Sequence, residues 1–446
     1  MNGESTKILT VEGGVPLEGH VRVNGSKNAA LPILCATLLA EGTSTIRNVP
    51  ELRDVVYMRQ ILADLGVENH RTSDGSLTFE TRDPEPFSVS HELAWKMRAS
   101  VCALGPLVAK RKRACVPYPG GCYFGVRPIN LHLKGLQALG ADIRIRDGHV
   151  EVTADRLKGA RVYLGGPYGS TVLGTANVLM AASVASGTTV IEHAACEPEI
   201  IDLAGFLNAM GARVSGAGSP RMIIEGVSEL QATNYTVIPD RIEAGTLMIA
   251  AAMTNGNVVV EDACVDHLFA VIDTLQDMGV DITANESTIR VKGNSSPKSV
   301  DITTLAYPGF PTDLQAQMMA YLAFGNGFSV VTERVYPDRF GHIAEFDRMG
   351  ANIRREGPTA IITGVPRLSG APVKASDLRA SASLILAGLV AEGKTEIRDI
   401  EHLDRGYERI EERLCRLGAR ICRVDAGKRE SRYEDYRPSS RIVAYT

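Results

Sequence analysis

The sequence predicts an α/β chain of two domains, each built from three repeats of helices and strands packed around buried helices, with an active-site cleft between the domains. Three observations carry this expectation: the length, a glycine-centred phrase that recurs along the chain, and an apolar phrase that precedes it. At 446 residues and 47.9 kDa the chain is two to three times the usual domain length, so a single hydrophobic core is not expected. The recurring phrase reads LADLGVE, LQALGADI, LNAMGARV, LQDMGVDI, FDRMGANI and LCRLGARI, with glycines at Gly66, Gly140, Gly211, Gly279, Gly350 and Gly418. Successive glycines stand 68 to 74 residues apart, which suits one supersecondary unit per repeat. Each phrase reads as an amphipathic helix stopped by a left-handed glycine, then a strand.

The units follow in order. KILTVEGG and HVRVNG are strands that precede the first helix and can pair with either domain. Unit one then gives AALPILCATLLAEG before TSTIRNV; unit three gives ANVLMAASVASG before TTVIEHA. Units four to six repeat this as AGTLMIAAAMTNG, LQAQMMAYLAFGNG and ASASLILAGLVAEG, each before a strand. Unit two keeps its helix (ASVCALGPLVA) but has KRKR at 110–113 where the others turn on glycine. These first helices are apolar or small on nearly every face and should be buried all round, whereas the second helices carry a charged face. Three buried helices wrapped by amphipathic helices and sheets make one domain, so six units make two. The break falls near 228–240, and residues 424–446 lose the repeat and read as a polar tail.

Composition excludes several classes of function. Forty-eight Lys+Arg against 52 Asp+Glu give a net charge of −4, without the basic excess that a nucleic-acid surface needs. No run approaches the ~18 apolar residues of a membrane span, and the opening residues lack a secretory pattern, so a cytoplasmic protein is expected. The eight cysteines are scattered without a CxxC pair, so neither a disulfide scaffold nor a metal site is indicated. Without GxxxxGK[ST] or a strand-linked GxGxxG, a P-loop or Rossmann site is unsupported.

Polar residues gather at helix starts. Asp, Ser, Thr and Asn there are ordinary N-caps, but cations oppose the macrodipole. Lys27, Arg98, Arg127, Arg241, Arg339, Arg379 and Arg405 occupy such places, which predicts an anionic small-molecule site in the cleft. Cys122 stands in the loop-like stretch YPGGCYFGVRPINLHLKGL beside Gly120 and Gly121, with Arg127 and His132 close in sequence. That setting suits a reactive thiol, while the other seven cysteines read as packing residues.

The motifs GSKNAALPIL, MRASVCALGPLVA, PGGCYFGVRPINLHLKGL, EPEIIDLAGFL, PDRIEAGT, FPTDLQAQ, DRFGHIAEFDRMGA, SDLRASASLILAG and LDRGYERIEERL cover residues 8–423. Together they resemble the enolpyruvyl transferases, in the branch that takes UDP-N-acetylglucosamine as acceptor for peptidoglycan synthesis. The resemblance implies two inside-out α/β domains, spanning 27–237 and 1–26 plus 238–423. It implies transfer of the enolpyruvyl group of phosphoenolpyruvate to the sugar 3-hydroxyl with loss of phosphate, without cofactor or metal. Cys122 matches the loop general acid, Asp313 the candidate base, and Lys27 and Asn28 a pair contacting phosphoenolpyruvate and the sugar. Arg127, Arg379 and Arg405 match residues that hold carboxylate and phosphate; Arg98, Val335, Arg339 and Asp377 match the substrate side. The stretch Arg127, Pro128, Ile129, Asn130, Leu131 matches the uridine contact, and His132 is counted with the substrate-binding residues. Two positions depart from the family pattern: 165–178 lacks a clamp lysine, leaving Ser170, Thr171 and nearby amides for the diphosphate, and Asn130 replaces a common aspartate. The altered clamp keeps another nucleoside or nucleotide acceptor as the neighbouring alternative. A pure sugar-nucleotide sensor would need neither acid nor base.

Overall fold

A computed structural model of the chain describes residues 7–82, 85–119, 128–294 and 296–425. Unit one shows the repeat most clearly. Helix Lys27–Ala36 is followed by strand Gly42–Arg47, helix Arg53–Asp64 and the strand pair Val67–Arg71 and Leu77–Thr81. Gly42–Arg47 pairs antiparallel with Leu77–Thr81, which pairs with Val67–Arg71. The other edge is closed by Asn234–Thr236, running parallel to Gly42–Arg47 with Asn234 opposite Thr45. A strand from after unit three thus completes unit one's sheet, and the three units close on themselves.

All six phrase glycines have positive φ, from 80° at Gly66 to 100° at Gly211, the left-handed turn that glycine adopts without a Cβ penalty. In unit two Lys112 takes the missing glycine's place, in left-handed backbone with φ 59° after helix Leu104–Arg111.

The opening strands resolve the pairing the sequence left open. Glu18–Arg22 runs parallel to Asn257–Glu261. Lys7–Glu12 lies between Lys394–Arg398 and Arg420–Asp425, antiparallel to both. It supplies to unit six the inner hairpin strand that every other unit makes for itself. The last of these strands reaches Asp425, so the repeat extends just past 424, where the sequence suggested the tail begins; residues 426–446 lie outside the described residues.

Burial follows the expected division of labour. Helices Lys27–Ala36, Val172–Ala182, Arg241–Met253, Gln315–Ala323 and Leu378–Val390 bury nearly every side chain. Buried apolar residues form two clusters, one from Ala29 to Val237 and one joining Leu9–Val23 to Ile242–Ile421. The chain crosses between them twice, and the crossings are bonded together: Ser26 N donates to Ile238 O at 2.7 Å and Asp240 N to Asn24 O at 2.8 Å.

Two cations, Arg339 and Arg405, are not at helix starts as the sequence suggested. Arg405 ends the 3₁₀ helix Ile400–Arg405, and Arg339 lies in a turn ahead of helix Ile343–Arg348. Arg98 does stand at one: it opens the 3₁₀ stretch Arg98–Ala103, which runs on into helix Leu104–Arg111.

Candidate active site

One carboxylate ties the starts of two buried helices across the crossings. Asp240 Oδ1 caps helix Arg241–Met253, accepting from Ile242 N at 2.8 Å and Glu243 N at 3.0 Å. Its Oδ2 accepts from Lys27 N at 3.2 Å, the first residue of helix Lys27–Ala36, whose own cap is Ser26. Lys27 is thereby set at the seam, only 6% exposed. Its Nζ reaches Asp54 Oδ2 at 3.3 Å, and Arg405 Nε, from the other cluster, donates to Asp54 Oδ1 at 2.8 Å.

Asp313 forms the second carboxylate of the node. Arg339 Nη1 donates to its Oδ1 at 2.8 Å and Arg379 Nη2 to its Oδ2 at 3.0 Å, with Asn28 Nδ2 at 3.5 Å from the same oxygen. Asp377 caps helix Leu378–Val390 through Arg379 N at 2.8 Å and Ala380 N at 3.1 Å, which aims Arg379 inward. Arg379 is 2% exposed, and its Nε and Nη1 have no hydrogen-bond partner among the described residues. Among the described residues, four cations, Lys27, Arg339, Arg379 and Arg405, therefore surround Asp54 and Asp313, with Asp240 acting on Arg379 as a third carboxylate. An excess of buried positive charge with unused donors is a receptor for anions.

The electrostatics follow from burial and neighbours. Burial pushes the Lys27 ammonium below its ordinary value, Asp54 opposes this, and Arg379 and Arg405 add to it. Burial alone would raise Asp313, but Arg379, Arg339 and Lys27 together hold its carboxyl well below the usual range. These cations hold Asp313 in its carboxylate form.

Glu333 was not singled out by sequence reasoning, yet it shapes the Val335 side. It is fully buried, and its Oε1 accepts from Thr304 Oγ1 at 2.6 Å, Val335 N at 2.8 Å and Tyr336 N at 2.9 Å. Its Oε2 accepts from Thr312 Oγ1 at 2.9 Å, next to Asp313. Asp54, in the first turn of helix Arg53–Asp64, carries no local sign in the sequence that it faces Lys27 and Arg405.

Other expected residues are placed differently. Arg241 needs no ligand to neutralise it: it crosses the seam to Glu199 at 3.0 and 3.3 Å, both side chains buried. His132 is turned inward, 4% exposed, with Nδ1 2.8 Å from Asn177 Nδ2. Because an amide nitrogen only donates, that ring nitrogen accepts, and His132 braces the first cluster where the sequence suggested a ligand contact. Ile129 is buried as well, whereas Pro128 and Asn130 are exposed and Leu131 half-buried. Arg98 Nη2 reaches Pro128 O at 3.4 Å. The hairpin Gly165–Gly166 with Gly169–Ser170 adjoins this stretch: a Cβ on Gly166 would lie 3.2 Å from Leu131 Cδ1. Thr171 Oγ1 is already used as the cap of helix Val172–Ala182, accepting from Gly174 N at 3.2 Å. Cys122 and Arg127 lie outside the described residues.

A family model described as EPSP synthase (3-phosphoshikimate 1-carboxyvinyltransferase) matches residues 11–414. The chain belongs to this family of enolpyruvyl transferases. It is 52% identical over 418 residues to UDP-N-acetylglucosamine 1-carboxyvinyltransferase 1 of Caldanaerobacter subterraneus subsp. tengcongensis, covering 94% of this chain and 99% of the relative. A UDP-N-acetylglucosamine 1-carboxyvinyltransferase of Methylacidiphilum infernorum is 51% identical, covering 93% and 98%. Among solved structures, the enolpyruvyl transferase NikO from Streptomyces tendae superposes with TM-score 0.85 at 25% identity, covering 95% of this chain and all of that one. EPSP synthase from Acinetobacter baumannii shares the fold at 22% identity and TM-score 0.74, covering 94% and 100%. The mixed α/β architecture of two domains is therefore the family's. No helix among the described residues is long and apolar enough to cross a membrane.

Proposed function

We propose that this family member transfers the enolpyruvyl group of phosphoenolpyruvate to the 3-hydroxyl of UDP-N-acetylglucosamine and releases phosphate, the first committed step of peptidoglycan synthesis, in the cytoplasm. The observation that carries this reading is the node of Lys27, Arg339, Arg379 and Arg405 around Asp54 and Asp313, with two Arg379 donors left over. A substrate bearing both a carboxylate and a phosphate suits that excess charge. The relatives at 52% and 51% identity, named for this acceptor, support the choice of sugar nucleotide over another nucleoside or nucleotide.

In this reading the acceptor oxygen adds to C2 of phosphoenolpyruvate while C3 gains a proton, giving a tetrahedral intermediate. Elimination then breaks the C2–O bond to phosphate and returns a proton from C3. Asp313 takes the hydroxyl proton and Cys122 delivers the proton to C3. Lys27, Arg379 and Arg405, with Arg127, hold carboxylate and phosphate and stabilise charge as it moves. Binding of the anion draws on Arg379, which relieves the hold on Asp313 and lets that carboxylate act as a base. Asn28, Arg98, Val335, Arg339 and Asp377 shape the sugar side; Pro128 to Leu131 and Ser170 with its neighbouring amides take the nucleotide. The same reading assigns 27–237 to one domain and 1–26 with 238–423 to the other, as the two apolar clusters support.

The test is phosphate release from phosphoenolpyruvate with UDP-N-acetylglucosamine, UMP or shikimate 3-phosphate as acceptor. Turnover is expected with the first; its absence there, with turnover on another acceptor, refutes the assignment.

A further inference from the structure

The segment Arg405-Gly406-Tyr407 does three things in succession. Arg405 reaches Asp54 across the seam. Gly406 makes room for helix Leu378–Val390, since a Cβ there would lie 2.3 Å from Leu378 Cδ1 and 3.6 Å from Arg379 Nη1. Tyr407, 1% exposed, lies with its ring centroid 5.2 Å from Arg379 Cζ.

The Tyr407 hydroxyl is fixed by a proton count. Thr246 Oγ1 donates its single proton to Ile242 O at 2.8 Å, so in the 2.9 Å contact with Tyr407 the tyrosine is the donor. Gln317 Nε2 has two protons and three acceptors: Asp313 O at 2.9 Å, Tyr407 Oη at 3.0 Å and Thr246 Oγ1 at 3.2 Å. The two shorter contacts tie Tyr407 through Gln317 to the backbone of Asp313. Thr246, Gln317, Arg379 and Tyr407 are all buried.

This arrangement answers a specific difficulty. Arg379 is oriented by one hydrogen bond from Nη2, while Nε and Nη1 are buried and unpartnered among the described residues. A polar support would occupy those donors. The Tyr407 ring steadies the cation and its hydroxyl adds a favourable interaction with the guanidinium, while Nε and Nη1 make no hydrogen bond of normal geometry among the described residues and stay available to an incoming anion.

We propose that Tyr407 is a positioning residue: its ring holds Arg379 with Nε and Nη1 free for the anionic group of phosphoenolpyruvate, while its hydroxyl, through Gln317, keeps Asp313 in register. The inference rests on the reading of phosphoenolpyruvate as substrate, but not on the identity of the acceptor. The experiment measures phosphoenolpyruvate affinity by calorimetry, kcat, KM for both substrates and thermal stability in Y407F and Y407L. Loss of a desolvated ring–cation contact weakens phosphoenolpyruvate binding by about 10–30-fold in Y407L. Y407F keeps the ring and holds affinity within about threefold of wild type, although its Tm falls because Gln317 and Thr246 lose a partner. Both variants lose the hydroxyl link through Gln317 to Asp313, so kcat is expected to fall to a similar extent in Y407F and Y407L; an unchanged kcat in both overturns the link to Asp313. Wild-type affinity in Y407L, or an equal loss of affinity in Y407F and Y407L, overturns the proposal, as does a wild type that does not bind phosphoenolpyruvate. A wild type that binds phosphoenolpyruvate without turning over UDP-N-acetylglucosamine refutes the acceptor assignment alone, and the binding comparison still decides the role of Tyr407.

Discussion

Replacing Asp54 by Asn separates the charge of this residue from its shape. Asp54 is 3% exposed and holds Lys27 Nζ at 3.3 Å and Arg405 Nε at 2.8 Å. A unit charge pair near 4 Å interacts by about 4 kcal/mol at an effective dielectric of 20. The Asn carbonyl keeps one hydrogen bond and Arg405 is partly solvated, so about half of that remains as the loss, ~2 kcal/mol, or roughly 30-fold in kcat/KM for phosphoenolpyruvate. The pH dependence carries the sharper signature. Asp54 raises the Lys27 pKa against burial and against Arg379 and Arg405, so its removal lets Lys27 lose its proton at lower pH. The assay is phosphate release across pH 6 to 10, with kcat/KM for phosphoenolpyruvate extracted at each pH. The alkaline limb of D54N is expected to move toward neutrality, with activity surviving best at the acid end. An unshifted limb with kcat/KM within threefold of wild type would show that Asp54 does not sustain the Lys27 charge, and the node would need redrawing.

Three further outcomes follow from the same structure. D313N removes the base and leaves Arg339 and Arg379 without their carboxylate; kcat should fall by about 10²–10⁴-fold with phosphoenolpyruvate still bound, and a D313N enzyme of wild-type kcat would exclude Asp313 as the base. C122A should abolish covalent labelling by the epoxide fosfomycin as read by intact mass, and continued labelling of the variant would move the reactive thiol elsewhere. Asp202, whose carboxylate accepts from Tyr235 Oη at 2.8 Å and Ile238 N at 3.2 Å, is pushed up by burial to about 6. Its raised value means the folded state binds the proton more tightly than the unfolded state, so this group's contribution to stability declines as pH rises from about 4 to 6. D202N removes that dependence: its Tm relative to wild type should be more favourable at pH 8 than at pH 4.5, and a pH-independent difference would show that Asp202 does not titrate in this range.

Much of the architecture was legible because it is repeated. The phrase glycines read as left-handed helix stops, and all six have positive φ in the structure. The same arithmetic located the buried helices, since Ala- and Leu-rich stretches without a polar face have nowhere to go but inside. Cations at unexpected places pointed toward an anion, and Lys27, Arg339, Arg379 and Arg405 do converge. The physical argument behind that expectation was only partly right. Arg241 is neutralised by Glu199, and neither Arg339 nor Arg405 starts a helix. Those residues meet because loops from different units end at the same seam, a fact that no local pattern encodes.

The sequence by itself determined the repeat, its helix stops, its buried helices and the residue types available for acid, base and anion binding, because these depend on periodicity and side-chain chemistry within short stretches. The tertiary structure decided what pairs with what. It placed Lys7–Glu12 in the sixth sheet, more than 380 residues along the chain from the strands it pairs with, where the sixth unit has no inner strand of its own. It turned Asp54 and Asp313 into shared counterions, left two donors of Arg379 unspent and laid Tyr407 beneath them. Such assignments depend on distances between residues far apart in sequence, and a carboxylate or an aromatic ring carries no mark of its partner until the chain has closed around both.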